Sequence, residues 1–265
     1  MSGASYDPRR GPGLDAEVDR LEAQAALAWR EEARLLRELG VDRAGTVVEV
    51  GCGSGALLAR LRELAPEARL TGVEPDGDLR ALARARVPAA EIVDGSAEAL
   101  PLADGSADAV VLRFVLQHLA DPVAALREAR RVLRPGGLAV AIEVDGALWG
   151  LAQPSWPEVQ AVQAKAWAAQ ARRGGDRMIG RRLPRLLAAA GFAEPELRLY
   201  AYHSDDLGLD AFAPLLDPAS TLEQALADGA ISLADYGVAV SGYRRFRADP
   251  DAFVLLAGLL ACGRA

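Results

Sequence analysis

An α/β fold built on a doubly wound, parallel sheet is what the sequence predicts, and three observations predict it. Short apolar, β-rich runs alternate with helical patterns from about residue 46 to residue 144, the rhythm of consecutive βαβ units. The first run, TVVEV, passes through Gly51, Gly53 and Gly55 directly into the helical pattern ALLARLREL, a strand, glycine turn and helix of the kind that cradles a nucleotide. Glu74 then ends the second run, nineteen residues after Gly55, where an acid accepts hydrogen bonds from ribose hydroxyls. A glycine turn by itself also serves as an ordinary βα connection. The strand-end acid is what separates the two readings.

Taken in order, residues 1–14 carry Gly, Pro and a pair of arginines without periodicity, which predicts an arm that is mobile in the free protein and orders over a ligand. A helix over 15–39 follows, with Asp15 at its N-cap, Leu21, Ala25, Ala28, Leu35 and Leu36 on one face, and Gly40 at its end. After the glycine turn a helix runs to Ala65, where Pro66 stops it. The pattern then predicts a helix over 77–86, a third strand over 89–94, a fourth over 109–112, a helix over 122–133 stopped by the turn Arg134, Pro135, Gly136 and Gly137, and a fifth strand over 138–144. Gly51 to Gly55, Glu74, Ser96 and Arg113 converge at the carboxyl ends of such strands, where doubly wound sheets bind their ligands. From Leu148 the alternation breaks. Helices are expected over 155–172 and 180–190, a strand over 196–203, a broken helical block over 207–246 and a last strand over 253–262.

The chain of 265 residues fits one large domain, or one with an inserted lid. A net charge of -7 excludes the clustered basic surface of a nucleic-acid binder and leaves small molecules as partners. Cys52 and Cys262 are too few and too far apart for a metal site or a disulfide framework, so a reduced, cytoplasmic setting is expected and no metal. No run is long and apolar enough for a membrane span, and the N-terminus lacks a signal-peptide core.

With these residues in view, EVGCGSG, GVEPD, GSAEALPL, ADGSADAVVLRFVLQHL and LREARRVLRPGGLAVAIEVD resemble the successive motifs of the class I S-adenosylmethionine (SAM) dependent methyltransferases, in the branch of ubiquinone/menaquinone-type and natural-product enzymes. The resemblance runs from about Val41 to Asp145 and weakens after it, apart from RRLPRLLAAAGF and FVLLAGLLACGR. It implies a Rossmann-like, seven-stranded sheet whose last strand is antiparallel, with an N-terminal helix and an inserted helical lid. The implied organisation is an arm and covering helix over 1–40, a cofactor core over 41–147, a lid over 148–179, and completion of the core over 180–265 with a second insertion over about 205–248.

The resemblance also implies SAM as cofactor and its demethylated form, S-adenosylhomocysteine, as product. Backbone around Gly51, Cys52 and Gly53 would face the methionine part, Glu74 the ribose, and the loop at Ser96 and Ala97 the adenine. The expected cofactor set is completed by Glu49, Gly55, Pro75, Glu98 and Arg113. Relatives commonly have Asp at the Ser96 position, so either Ser96 or Asp94 takes that acceptor role, or Ala97 backbone and apolar packing hold the ring.

Methyl transfer from a sulfonium asks mainly for positioning, and a base only where the acceptor must lose a proton. His118, on the exit from the fourth strand, is the expected base; a structural histidine, or Glu143 or Asp145 at the end of the fifth strand, are the alternatives, and His203 reads as a surface residue. Trp149, Trp156, Trp167, Tyr202, Tyr236 and Tyr243 would roof a partly apolar or aromatic acceptor, or simply pack the lid to the body. The expected protein is a monomer or homodimer acting on a small molecule. A SAM-fold protein catalysing a cyclisation and a non-catalytic SAM-binding subunit remain as alternatives. A nicotinamide enzyme is disfavoured by the glycine spacing and because Lys165, the only lysine, has Ala161 four residues before it.

Overall fold

The computed structural model describes residues 13–148 and 151–265; all but the end of the expected arm, and Trp149, lie outside the described residues. In chain order the elements are α1 (Leu14–Glu38), β1 (Thr46–Val50), α2 (Ala56–Leu64), β2 (Arg69–Val73), α3 (Gly77–Arg86), β3 (Glu91–Val93), β4 (Ala107–Arg113), α4 (Pro122–Val132), β5 (Leu133–Glu143), β6 (Leu151–Gln153), α5 (Pro157–Arg172), α6 (Leu183–Ala189) and β7 (Ala193–His203). Four short helical segments follow, α7 (Ser204–Leu207), α8 (Ala213–Leu216), α9 (Pro218–Thr221) and α10 (Glu223–Ala227), then α11 (Leu233–Ala248) and β8 (Phe253–Arg264).

The sheet runs β3-β2-β1-β4-β5-β8-β6, with β7 also paired to β8. Strands β1 to β5 are parallel neighbours, and β8 is antiparallel to β5, β6 and β7. Chain order reverses between β1 and β4, and a ligand crevice opens outside the carboxyl ends of the strands at such a switch point. Register then decides what meets there. Val50 stands opposite Val73 on one side and Leu112 on the other, which sets Gly51, Glu74 and Arg113 side by side at the rim.

Both faces of the sheet are covered, so its strands are apolar on both sides. Val47, Val111 and Val140 belong to one core with Leu36 of α1 and Leu58 and Leu61 of α2. Val48, Val110 and Leu112 belong to the other with Leu126 of α4 and Leu183 and Leu187 of α6. Leucines buried to this degree contribute on the order of 2 kcal/mol each.

Three local expectations are corrected. Asp15 is in the first turn of α1 and Gly13 holds the N-cap without a side-chain bond; the carboxylate acts on the helix dipole instead. The Arg134 to Gly137 turn is a bulge inside β5: Ala107 pairs with Leu133 but Ala109 with Leu138, and Gly136 donates to the Ala265 carbonyl at 3.0 Å. The sheet also carries an eighth strand, β6, where only lid was expected; it extends the β5 edge of β8.

The late helices form their own cover. Trp156 packs at a tilt against Phe246 with ring centroids 4.4 Å apart and against Tyr243 at 6.2 Å, while Val162, Leu222, Ile231 and Ala239 make a small separate core. Among the described residues no helix is long and apolar enough to cross a membrane.

Candidate functional site

The turn after β1 needs its glycines. Gly51, Gly53 and Gly55 have φ of 70°, 54° and 79°, values L side chains rarely adopt. A Cβ on Gly51 would lie 2.6 Å from Val115, and one on Gly55 3.1 Å from the Ala83 backbone, whereas at Gly53 the nearest atom is Leu21 Cδ1 at 3.6 Å. Gly51 and Gly55 are therefore packed against protein, and Gly53 is the open one.

Glu74 braces this turn. Its Oε2 accepts from Gly53 N at 2.9 Å and its Oε1 from Asp76 N at 3.0 Å, with the side chain 6% exposed. Burial raises its pKa, against those two backbone donors. A carboxylate offers about four lone-pair sites, so two remain for a ligand. Asp94 is instead held by Arg80, whose Nη1 lies 3.0 Å from its Oδ1 while also donating to the Glu74 and Pro75 carbonyls.

A cavity of about 610 Å³ opens over the rim. Of the residues expected from the sequence, Glu49, Gly51, Cys52, Gly53, Glu74, Pro75, Ser96, Ala97, Glu98, Arg113 and His118 line it. Gly55 is not among them; it admits the chain to α2. The Cys52 thiol is pushed up by burial first and by Glu49 next, which makes it an inert wall atom.

Arg113 faces this space with its charge already committed. Its Nε lies 2.9 Å from Glu32 Oε2, its Nη2 donates to the Gln24 carbonyl at 2.9 Å, and Tyr200 donates to Glu32 at 2.7 Å. The next residue, Phe114, has a φ of 58° and lies under the guanidinium at 4.3 Å, a strained backbone at the cavity wall.

His118 ends a 3₁₀ turn, Leu116–His118, and its Nδ1 lies 3.3 Å from Gln170 Nε2. Burial, then Arg177 and Arg20, hold its pKa down to about 3, so it is a neutral imidazole and a weak base. The alternatives lie elsewhere. Glu143 is fully buried beneath this turn, accepting from Leu116 N at 2.6 Å. Asp145 pairs with both ends of the Arg181 guanidinium, at 2.6 Å through Oδ1. His203, at the end of β7, lies 3.4 Å from Asp206. None of the three lines the cavity.

The sequence reading missed the opposite wall: Glu17, Arg20 and Gln24 of α1, and Gln117, Arg173 and Arg177. A second cavity of about 150 Å³ adjoins it, sharing Arg20, Gln24, Gln170 and Arg177, and extends to Trp167, Leu215 and Leu222. Of the five described aromatics expected to roof the site, Trp167 alone lines either of these two cavities; Trp156, Tyr202 and Tyr243 are buried packing.

Residues 48–141 match a family profile described as a methyltransferase domain. The chain is 37% identical over 178 residues to an uncharacterized 37.1 kDa protein in transposon TN4556 of Streptomyces fradiae, covering 64% of this chain and 51% of that protein. It is 31% identical over 121 residues to demethylmenaquinone methyltransferase of Staphylococcus aureus, covering 44% of this chain and 49% of that one. The chain thus spans about half the length of the curated relatives it matches. In fold it is similar to the crystal structure of a SAM-dependent methyltransferase of Thermotoga maritima, with a TM-score of 0.56 at 20% identity over 94% of both chains.

The methyltransferase-domain match implies SAM as cofactor, and the residues present fit it. Glu49 Oε2 and Ser54 Oγ are buried at the cavity wall without a hydrogen-bond partner among the described residues. Glu74 keeps acceptor capacity, and Gly53 leaves its face clear.

Proposed function

We propose that this protein transfers the methyl group of SAM to a small molecule that enters from the α5 side of the crevice. The observation that carries the reading is the pair of adjoining cavities. One is walled by the glycine turn, Glu74 and Ser96, the other by Trp167 and Leu222, and His118 lines the first where they approach each other. Small-molecule sites typically occupy about 300–1,000 Å³. Two reactants placed end to end are what an in-line displacement needs.

In this reading Glu74 holds the ribose, Ser96 to Glu98 flank the adenine, and the Gly51 to Gly53 backbone with Glu49 receives the methionine part. The cofactor supplies a methyl group already activated on a sulfonium. The chain's share is to orient and to exclude water. Neutral His118 accepts a hydrogen bond from the acceptor and aims its nucleophilic atom, with Gln170 fixing the ring; it does not need to take the proton outright. Helices α5 and α11 act as the lid. The net charge of -7 and the size of the cavity support a small metabolite as acceptor, and the buried, free Cys52 and Cys262 suit a reduced cytoplasmic setting.

Calorimetric titration tests the cofactor half: saturable binding of S-adenosylhomocysteine is expected, with no binding of NAD. Tight NAD binding without response to S-adenosylhomocysteine would overturn the reading. A crystal structure of that complex tests the other half, since the Trp167 cavity must remain open to the cofactor's sulfur.

A further inference from the structure

Arg177 is a partly buried cation whose side-chain hydrogen-bond partners are neutral amides. Its Nε donates to Gln170 Oε1 at 3.0 Å and its Nη1 to Gln117 Oε1 at 2.7 Å, and its carbonyl accepts from Gly146 N at 2.8 Å. Among the described residues no carboxylate lies within ion-pair distance of it. Both glutamines are buried, Gln117 to 2% and Gln170 to 8% exposure, and Gln170 Nε2 donates in turn to the Gln117 carbonyl at 3.2 Å. The guanidinium is thus held rigidly by amide oxygens at the wall shared by the two cavities, with further N–H donors to spare.

Such an arrangement costs stability unless an anion completes it, because a desolvated charge needs a counter-charge as well as hydrogen bonds. Burial, and Arg20 after it, push Arg177 down to about 10, against the more distant Glu143 and Glu17, neither of which is within ion-pair distance. Arg20 pairs with Glu17 at 2.6 Å and Arg173 reaches Asp228 at 3.6 Å; both add positive potential to the same wall. Beyond Arg177 the smaller cavity offers the apolar side chains of Val144, Trp167, Leu215 and Leu222 alongside the polar Gln163, Thr221 and Gln224.

Resting on the methyltransferase reading above, we propose that the acceptor is a small organic acid: its carboxylate or phosphate meets Arg177, and its apolar body lies against Trp167 and Leu222. The cofactor's own carboxylate has a different partner in this scheme. Arg20 of α1 lines both cavities one residue from Leu21, which stands over Gly53, whereas Arg177 is tied to the exits of β4 and β5 through Gln117 and Gly146.

The test titrates three ligand sets into protein saturated with S-adenosylhomocysteine: phenylacetate against phenylacetamide, hexanoate against hexanamide, and phenyl phosphate. The expected result is that acids bind about tenfold or more tightly than their amides, the scale of a hydrogen bond to a charged group. Carboxylate and phosphate sources are told apart by whether phenylacetate or phenyl phosphate binds more tightly. Arg177→Gln should abolish the preference with S-adenosylhomocysteine affinity unchanged, and Arg177→Lys should keep part of it. No acid-over-amide preference in the wild-type protein overturns the proposal without any variant having to fold. So does a preference that survives in Arg177→Gln while cofactor affinity falls, which would assign Arg177 to the cofactor. If wild-type protein does not bind S-adenosylhomocysteine at all, the methyltransferase reading has failed, and the acid and amide titrations in its absence still judge the anion site.

Discussion

Glu32 and Arg113, 81 residues apart in the chain, meet at 2.9 Å with side chains only 0% and 6% exposed. The pair ties the middle of α1 to the tip of β4, and Tyr200 of β7 closes the group by donating to Glu32 at 2.7 Å. It fixes α1 over the crevice, so Arg20, Gln24 and Leu21 line it as parts of a rigid wall.

Breaking that pair should be costly. Glu32→Gln leaves Arg113 buried beside a neutral group, and removal of one partner of a buried pair costs about 3–5 kcal/mol. Tyr200→Phe removes one hydrogen bond to a charged acceptor, about 1.5–3 kcal/mol. Urea unfolding of the two variants should rank them in that order; a Glu32→Gln cost no larger than that of Tyr200→Phe would mean the ion pair adds nothing.

Glu74→Ala removes the acceptor proposed for the ribose together with the brace on Gly53 N and Asp76 N. Affinity for S-adenosylhomocysteine should fall by roughly 1–3 kcal/mol. Calorimetry checks it directly, and unchanged affinity would place the cofactor elsewhere.

The half of the site that could be read from the sequence is the half made by neighbours along one strand edge. Gly51, Glu74 and Arg113 each follow an apolar run, and parallel register alone brings them together. The arginine wall has no such rule. Arg177 reaches Gln117 across 60 residues, and both belong to connections whose course depends on how α5 packs, which no periodicity encodes. The aromatic residues misled for a related reason: Trp156, Tyr243 and Phe246 satisfy each other, and a ring that finds a core partner is lost to a pocket. Strand β6 was illegible because three residues cannot display a two-residue period.

The glycine turn allows steric and ligand effects to be separated. Gly51→Ala puts a methyl 2.6 Å from Val115 at a φ of 70°, and should destabilise the fold by about 2 kcal/mol or more. Gly53→Ala meets nothing closer than 3.6 Å, so its fold cost should be about 1–2 kcal/mol from backbone conformation alone. Its methyl stands where the ligand's backbone contact is proposed, so S-adenosylhomocysteine affinity should fall by about tenfold. Thermal unfolding beside calorimetry distinguishes the two variants; equal affinity in Gly53→Ala and wild type would clear that face of any ligand.

Glu143 sets a pH dependence of stability. The carboxyl is fully buried, accepts from Leu116 N at 2.6 Å, and its Oε2 has no partner among the described residues. Burial pushes it up to about 8 from an ordinary 4.5, against the backbone donors Leu116 and Gln117. The folded chain therefore holds a proton that the unfolded chain releases. That stabilisation is complete below about pH 4.5 and is lost as pH rises through about 8. Glu143→Gln keeps the acceptor for Leu116 and cannot ionise, so it should gain on wild type steadily between pH 5 and 9, by on the order of 1–3 kcal/mol at the alkaline end. Buried His118 works in the opposite sense, its neutral form costing stability as pH falls below about 6.5, but that contribution is common to both proteins and cancels in their difference. Urea midpoints at pH 5, 7 and 9 provide the measurement; parallel profiles for the two proteins would show that Glu143 is ionised in the folded state across the range.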